Sequence, residues 1–243
     1  MPTFLDIETI PDLNIYTPPA PDRDGKTPFP PIAAHKVVAI GWIHGPSRVL
    51  PTVATDAFTG GVFTGPEIEV LTEFHRGFNQ QQEIQIVTWN GRRFDIPVLA
   101  MRALRYNIST AWIERNKMRY RYDDAHHCDL ADQLSDYGAA MMPSLDLVAK
   151  LCGLPGKIDG AHGSEVDKLF LAGKVREIAE YCLTDVFQTA VIYYRRRVAK
   201  GVTSADEYQR AFDLLCQCLR DYGCREFLSH LQSSPFPAPE PDR

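Results

Sequence analysis

Hydrophobic and polar positions divide the chain into a strand-rich first half and a helix-rich second half. Residues 3–7 read as a strand. "PDLNIYTPPAPDRDGKTPFPPI" follows, crowded with Pro and Asp, and reads as a long surface loop. "HKVVAIGWIHG" and "SRVLPTV" predict a strand pair with "GPSR" as its turn. "GPEIEVLTEFHRGFNQ" carries Pro near its start and apolar residues at helical spacing. "EIQIVTW" predicts a strand that stops at the Asn90-Gly91 turn signal, and "FDIPVLAMRALRYN" a helix after it. "SLDLVAKLCGLPG" predicts a helix opened by a Ser cap and closed by Gly and Pro. "AGKVREIAEYCLTDVFQTAVIYYRRRVAKG" is the strongest helix, and "SADEYQRAFDLLCQCLRDYG" is another with a Ser cap. This order predicts one α/β domain over residues 1–230, a mixed sheet covered by helices. The end, "SSPFPAPEPDR", predicts a disordered tail over residues 231–243.

Bulk properties narrow the function. A net charge of −5 gives no general nucleic-acid signal, so an anionic partner would need local basic groups or metal. No apolar stretch approaches the ~18 residues of a membrane span, and no basic segment followed by an apolar run suggests a secretory leader. Six scattered cysteines read as reduced thiols, so a cytoplasmic protein is expected. Cys216, Cys218 and Cys224 with His230 are a candidate zinc set. Cys216 and Cys218 fall on different faces of the predicted helix, which argues against it.

The candidate chemistry lies in three places. Asp6 and Glu8 are two apart on a strand and so point to one face. Two like charges that close repel unless a cation lies between them, and a divalent metal is the usual one. "TWNGRRFDIPVL" places Asp95 at the start of a helix after a strand. "EYCLTDVFQT" places Tyr181 and Asp185 four apart on one helical face. Each piece has an ordinary alternative. Asp95 favours a helix N-terminus through the macrodipole, and Tyr181 with Asp185 could be a simple hydrogen-bonded pair.

Taken together, the three motifs resemble the DEDD 3′–5′ exonucleases, in the subtype with tyrosine in the third motif. The likeness is to the exonuclease domain of family B DNA polymerases, and more narrowly to bacterial stand-alone proteins related to it. "FLDIETIPD" matches the first motif, "WNGRRFDIPVL" the second and "YCLTDV" the third. "FPPIAAHKVVAIGWI" and "SLDLVAKLCGLPGK" are also similar to the narrower group, and the likeness covers about residues 1 to 200. Polymerase versions often carry a second Asn where this chain has Arg93.

The resemblance implies a ribonuclease H-like fold and a catalytic set of Asp6, Glu8, Asp95, Tyr181 and Asp185. It implies that the four acids hold two Mg²⁺ ions, with Mn²⁺ as a substitute. Asp6 would bridge both ions, Glu8 and Asp185 would hold the one that activates water, and Asp95 the second. Tyr181, protonated at neutral pH, would orient the attacking water. The expected substrate is single-stranded DNA or a frayed 3′ end, released as 5′-mononucleotides. RNA trimming and an inactive nucleic-acid-binding module are the alternatives, and no membrane or obligate protein partner is implied.

Substrate contacts are expected from Phe94 and Asn90, Phe94 by stacking on the terminal base or alternatively as a core anchor. "ERNKMRYRYDD" interleaves basic and aromatic residues, so Arg119 and Arg121 are candidates to track a single strand. The same alternation also fits a half-exposed strand. Arg195, Arg196 and Arg197 near a helix C-terminus read as structural. Asp129 and Asp132 are further acids without an assigned role.

Overall fold

The central strand of the sheet is β1 (Pro2–Pro11), which runs beyond the predicted residues 3–7 at both ends. On one side it pairs antiparallel with β2 (His35–His44), which pairs antiparallel with β3 (Thr59–Thr64). On the other it pairs parallel with β4 (Gln85–Thr88), and β4 pairs parallel with β5 (His127–Asp129). The computed structural model describes residues 2–23, 27–45, 57–81, 84–115, 117–158 and 165–232. The predicted strand "SRVLPTV" lies outside these residues, and the strand found beside β2 is β3. Most of the predicted tail also lies outside them.

Alternation along β1 divides the core. Leu5 and Ile7 face a cluster with α1 (Glu67–Gln80) and α2 (Asp95–Arg105), whereas Phe4 packs among residues of α7 (Val175–Ala199). Asp6 and Glu8 share the parity of Phe4 and so face α7. From Cys182 to Tyr194 every residue of α7 is buried. A helix apolar on all sides needs cover on all sides. The sheet supplies one side, and α5 (Leu145–Leu151) and α8 (Ala205–Tyr222) supply others.

The predicted caps are present. Ser144 Oγ accepts from the Leu147 amide at 3.2 Å. Ser204 and Glu207 form a capping box on α8, and Gly223 closes that helix with φ of 100°. Among the described residues the shorter elements include a 3-10 turn at Asp136–Gly138 and five others. These five are α3 (Ala111–Arg115), α4 (Leu130–Leu134), α6 (Val166–Leu171), α9 (Arg225–Gln232) and a 3-10 turn at Ile32–Ala34. Among the described residues no helix is long and apolar enough to cross a membrane.

A buried ionic network fixes α2 against the sheet. Glu67 accepts from the Val37 amide at 2.7 Å, from Arg102 Nε at 2.7 Å and Nη2 at 2.5 Å, and from the Tyr106 hydroxyl at 2.8 Å. Arg102 Nη1 reaches Asp12 Oδ2, just past β1, at 2.9 Å. Buried charges are tolerated only when paired and fully hydrogen-bonded, and such a network has few alternative arrangements. The Val37 amide it engages adjoins a bulge, where the β1–β2 register slips between Glu8 and Thr9.

Two other expectations are decided here. Among the described residues of 114–124 there is no strand: α3 ends at Arg115, turns follow, and Lys117 has φ of 51°. Among the described residues, Cys216, Cys218, Cys224 and His230 bring no ligand atoms close enough to share an ion, and all six cysteines are free.

Candidate active site

Three elements deliver the acids to one place. β1 supplies Asp6 and Glu8, the first turn of α2 supplies Asp95, and α7 supplies Tyr181 and Asp185. All five line a cleft of about 560 Å³, together with Asn90, Arg93 and Phe94. A second hollow of about 420 Å³ shares Asp6, Trp89, Asn90 and Asp185 with it, so the two form one groove across the acids.

Local sequence explains each placement. Gly41 stands opposite Asp6 in β2, and a Cβ there would lie 2.8 Å from Cys182 Sγ and 3.2 Å from Val186 Cγ2. The bare glycine lets α7 lie close on β1, bringing Cys182 Sγ within 3.6 Å of Asp6 Oδ2. The Asn90-Gly91 turn aims α2. Asn90 takes φ of 61°, and a Cβ on Gly91 would lie 2.5 Å from Thr88 side-chain atoms. Asp129 staples this turn by accepting from the Asn90 and Arg92 amides, both at 2.9 Å.

The electrostatics are those of acids crowded without enough counter-charge. Burial and the charges of Glu8, Asp95 and Asp185 hold the Asp6 carboxyl well above its ordinary range. Burial and Asp185 do the same for Glu8, although Lys157 partly offsets them. Burial raises Asp95 to about 7, against the pull of its own and the Ile7 backbone amides and with help from Asp129. Burial raises Asp185 to about 6, while Lys157 and the hydroxyl of Tyr181 oppose the rise. Burial and the Asp185, Glu8 and Asp6 charges push the Tyr181 phenol far above its usual range, so it stays protonated.

These residues fit a divalent cation. The donors are hard carboxylate oxygens, and Asp95 Oδ1 and Asn90 Oδ1 are buried with no hydrogen-bond partner. Asp6, Glu8 and Cys182 bring ligand atoms within 4.8 Å of one another. The thiol is a weaker match for a hard ion than the oxygens beside it.

The structure separates other candidates from this cluster. Arg119 pairs with Glu114 at 3.0 Å, and Arg121 forms a two-pronged contact with Asp132 at 2.8 and 2.6 Å. Neither lines the groove. Phe94 packs against the α1–α2 core and also lines the cleft. Arg195 bonds Tyr208 and Arg197 bonds Thr203, a structural use as expected.

Lys157 was missed. Its ammonium lies 5.6 Å from the Tyr181 ring centroid, and its backbone amide donates to Asp146 Oδ1 at 2.7 Å. Gly156 makes this possible, since a Cβ there would lie 2.4 Å from the same oxygen. The signal was "LCGLPGK", where a Gly precedes a cation directly after a helix end.

Strand order β3-β2-β1-β4-β5 in a mixed sheet flanked by helices is the ribonuclease H-like class, as in the exonuclease domain of family B DNA polymerases. The chain belongs to the family described as predicted 3′–5′ exonuclease related to the exonuclease domain of PolB, whose model matches residues 27–233. That match contains Asp95, Tyr181 and Asp185, whereas Asp6 and Glu8 precede it. Among solved structures, the family B DNA polymerase of the hyperthermophilic archaeon Pyrobaculum calidifontis superposes with a TM-score of 0.52 at 16% identity. The superposition covers 81% of this chain and 24% of the polymerase, and at that identity it speaks for the fold alone. No curated protein matches the chain.

Proposed function

We propose that this protein is a metal-dependent 3′–5′ exonuclease that releases 5′-mononucleotides from the 3′ end of single-stranded DNA. The observation that carries the reading is the convergence of four acids and a protonated tyrosine on one groove, with the Asp6, Glu8, Asp95 and Asp185 carboxyls all raised by burial. Asp6, Glu8, Asp95 and Asp185 would hold two Mg²⁺ ions. Such ions make water nucleophilic at neutral pH and stabilise the leaving 3′ oxygen of an in-line displacement.

The chain's own residues do the rest. The Tyr181 hydroxyl opposes the rise of the Asp185 carboxyl beside it and would orient a water there. Its burial keeps the proton in place, so Tyr181 positions rather than deprotonates. Asn90 and Phe94 contact the terminal nucleotide across the cleft. Residues 1–230 act as one catalytic unit.

Purified protein incubated with end-labelled single-stranded DNA, with and without Mg²⁺, tests this. Stepwise shortening from the 3′ end with release of 5′-mononucleotides, stopped by chelation, is expected. Cleavage of circular single-stranded DNA overturns the exonuclease reading. Faster loss of RNA of the same sequence overturns only the choice of DNA.

A further inference from the structure

Phe29 is 72% exposed at the mouth of the acid cleft, which it lines beside Arg93 and Phe94. A lone exposed phenylalanine is unremarkable on a protein surface, but this one is rigidly mounted. Pro28 precedes it and Pro30 and Pro31 follow, which restricts the backbone to extended conformations. His35 Nε2 donates to the Pro30 carbonyl at 3.0 Å, leaving Nδ1 to accept from the Thr9 hydroxyl at 2.9 Å. Burial lowers the pKa of His35, in keeping with this neutral tautomer.

Three rings then close on one another. Centroid distances are 4.8 Å for Phe29–His35, 5.6 Å for Phe29–Phe94 and 4.9 Å for His35–Phe94. Rings at such spacings are already in contact, so no further ring fits among them. The most exposed of the three rings is Phe29, whose outward side is backed by the other two, while Phe94 lines the cleft beside it. Phe94 directly precedes Asp95, so this ledge lies one residue from a carboxylate of the cleft. A nucleotide with its phosphate over the acids has its base within reach of the ledge.

We infer that Phe29 is a stacking platform for the 3′-terminal nucleobase, which makes the presence of a base, and not its identity, a condition for efficient cleavage. This rests on the exonuclease reading. Every base has a π-face, so stacking on such a platform tolerates any sequence. Its fixed mounting means that little freedom is lost when a base arrives.

The test compares single strands ending in an ordinary nucleotide with strands ending in an abasic residue. Wild-type protein should prefer the base-bearing end about tenfold in kcat/KM, the scale of one aromatic–base stack. Phe29→Ala and Phe29→Leu should bring the ratio toward one, and Phe29→Trp should keep it. Leu retains apolar bulk without a π-face, so it separates stacking from packing. With metal chelated, fluorescence of a 3′-terminal 2-aminopurine should be quenched by wild-type protein and not by Phe29→Ala. Active wild-type protein whose ratio Phe29→Ala leaves unchanged overturns the platform alone. Wild-type protein that cleaves no strand at all overturns the exonuclease reading and the platform with it.

Discussion

Cys182 Sγ on α7 lies 3.5 Å from the carbonyl oxygen of Asp6 on β1. The two elements meet this closely because Gly41 contributes no side chain between them. Gly41→Ala should therefore press α7 outward. Overpacking of this kind costs roughly 1–3 kcal/mol. Nuclease activity should fall further than the melting temperature suggests, because Tyr181 and Asp185 shift relative to Asp6. Thermal melts and initial rates measured well below the transition check this, and unchanged values in both would show that the helix absorbs the methyl group.

Asp95→Asn should abolish most hydrolysis yet stabilise the metal-free protein at alkaline pH. The sign follows from protons bound. Asp95 titrates at about 7 when folded against an ordinary value near 3.8. Between those values the folded state holds the extra proton, so this carboxyl's contribution falls as pH rises from about 4 through 7. Above pH 7 it is a net cost on the order of 2–4 kcal/mol that Asn removes. Urea denaturation in chelator at pH 5 and pH 8 should show the variant gaining on wild type at the higher pH. Added Mg²⁺ should reverse the order.

Tyr181→Phe should slow cleavage by roughly 10²–10⁴-fold, since positioning and acid–base groups contribute on that scale. The phenol's pKa lies far above its ordinary range, so its titration does not shape the rate near neutrality. The variant's pH–rate profile should keep the wild-type form at a lower level. A profile that loses a limb would make Tyr181 a true proton carrier.

Lys157→Gln should tighten metal binding while making the metal-free site more strained. The lysine opposes the rise in both Glu8 and Asp185, so its removal leaves their charges less balanced. A cation is then attracted more strongly, by roughly 3–10-fold at a partly solvated site. Calorimetric titration with Mn²⁺ measures it, and weaker binding would place Lys157 among the groups that hold the site's shape.

Arg121→Ala should lower the melting temperature, because it strands the buried carboxylate of Asp132. Arg119→Ala breaks only an exposed pair and should change little. Neither should alter the salt dependence of single-strand binding. A slope reduced by about 0.7 per substitution would restore this segment as a phosphate track.

The acids of β1 and α7 were legible because simple periodicities, two and four residues, put them on shared faces. Asp95 was legible because a turn signal and an apolar run bracket it. β3 was not legible, since Gly60 and Gly61 deprive it of strand character. At Gly60 a Cβ would lie 2.9 Å from Cys218 Sγ on α8 and 3.0 Å from Ile43 Cγ1 on β2, two neighbours far away in sequence. β5 has three residues, too few for a pattern. Alternation around Arg119 and Arg121 describes turns and not a strand, and the two arginines pair there with Glu114 and Asp132, away from the groove. Lys157 reaches the groove through its bond to Asp146, and only the Gly before it hinted at this; for Phe29 the flanking prolines were the one local sign.

The close meeting of β1 and α7 joins residues 176 positions apart, as Cys182 and Asp6 show. A ribosome emits Asp6 and Glu8 long before Asp185. No shorter nascent fragment carries the whole set of acids. A growing chain therefore lacks the assembled set of acids until Asp185 has been made. Long-range closure of this kind also slows folding, because chain entropy is surrendered before the contacts repay it. Any competence to cut nucleic acid waits on the docking of α7 against β1.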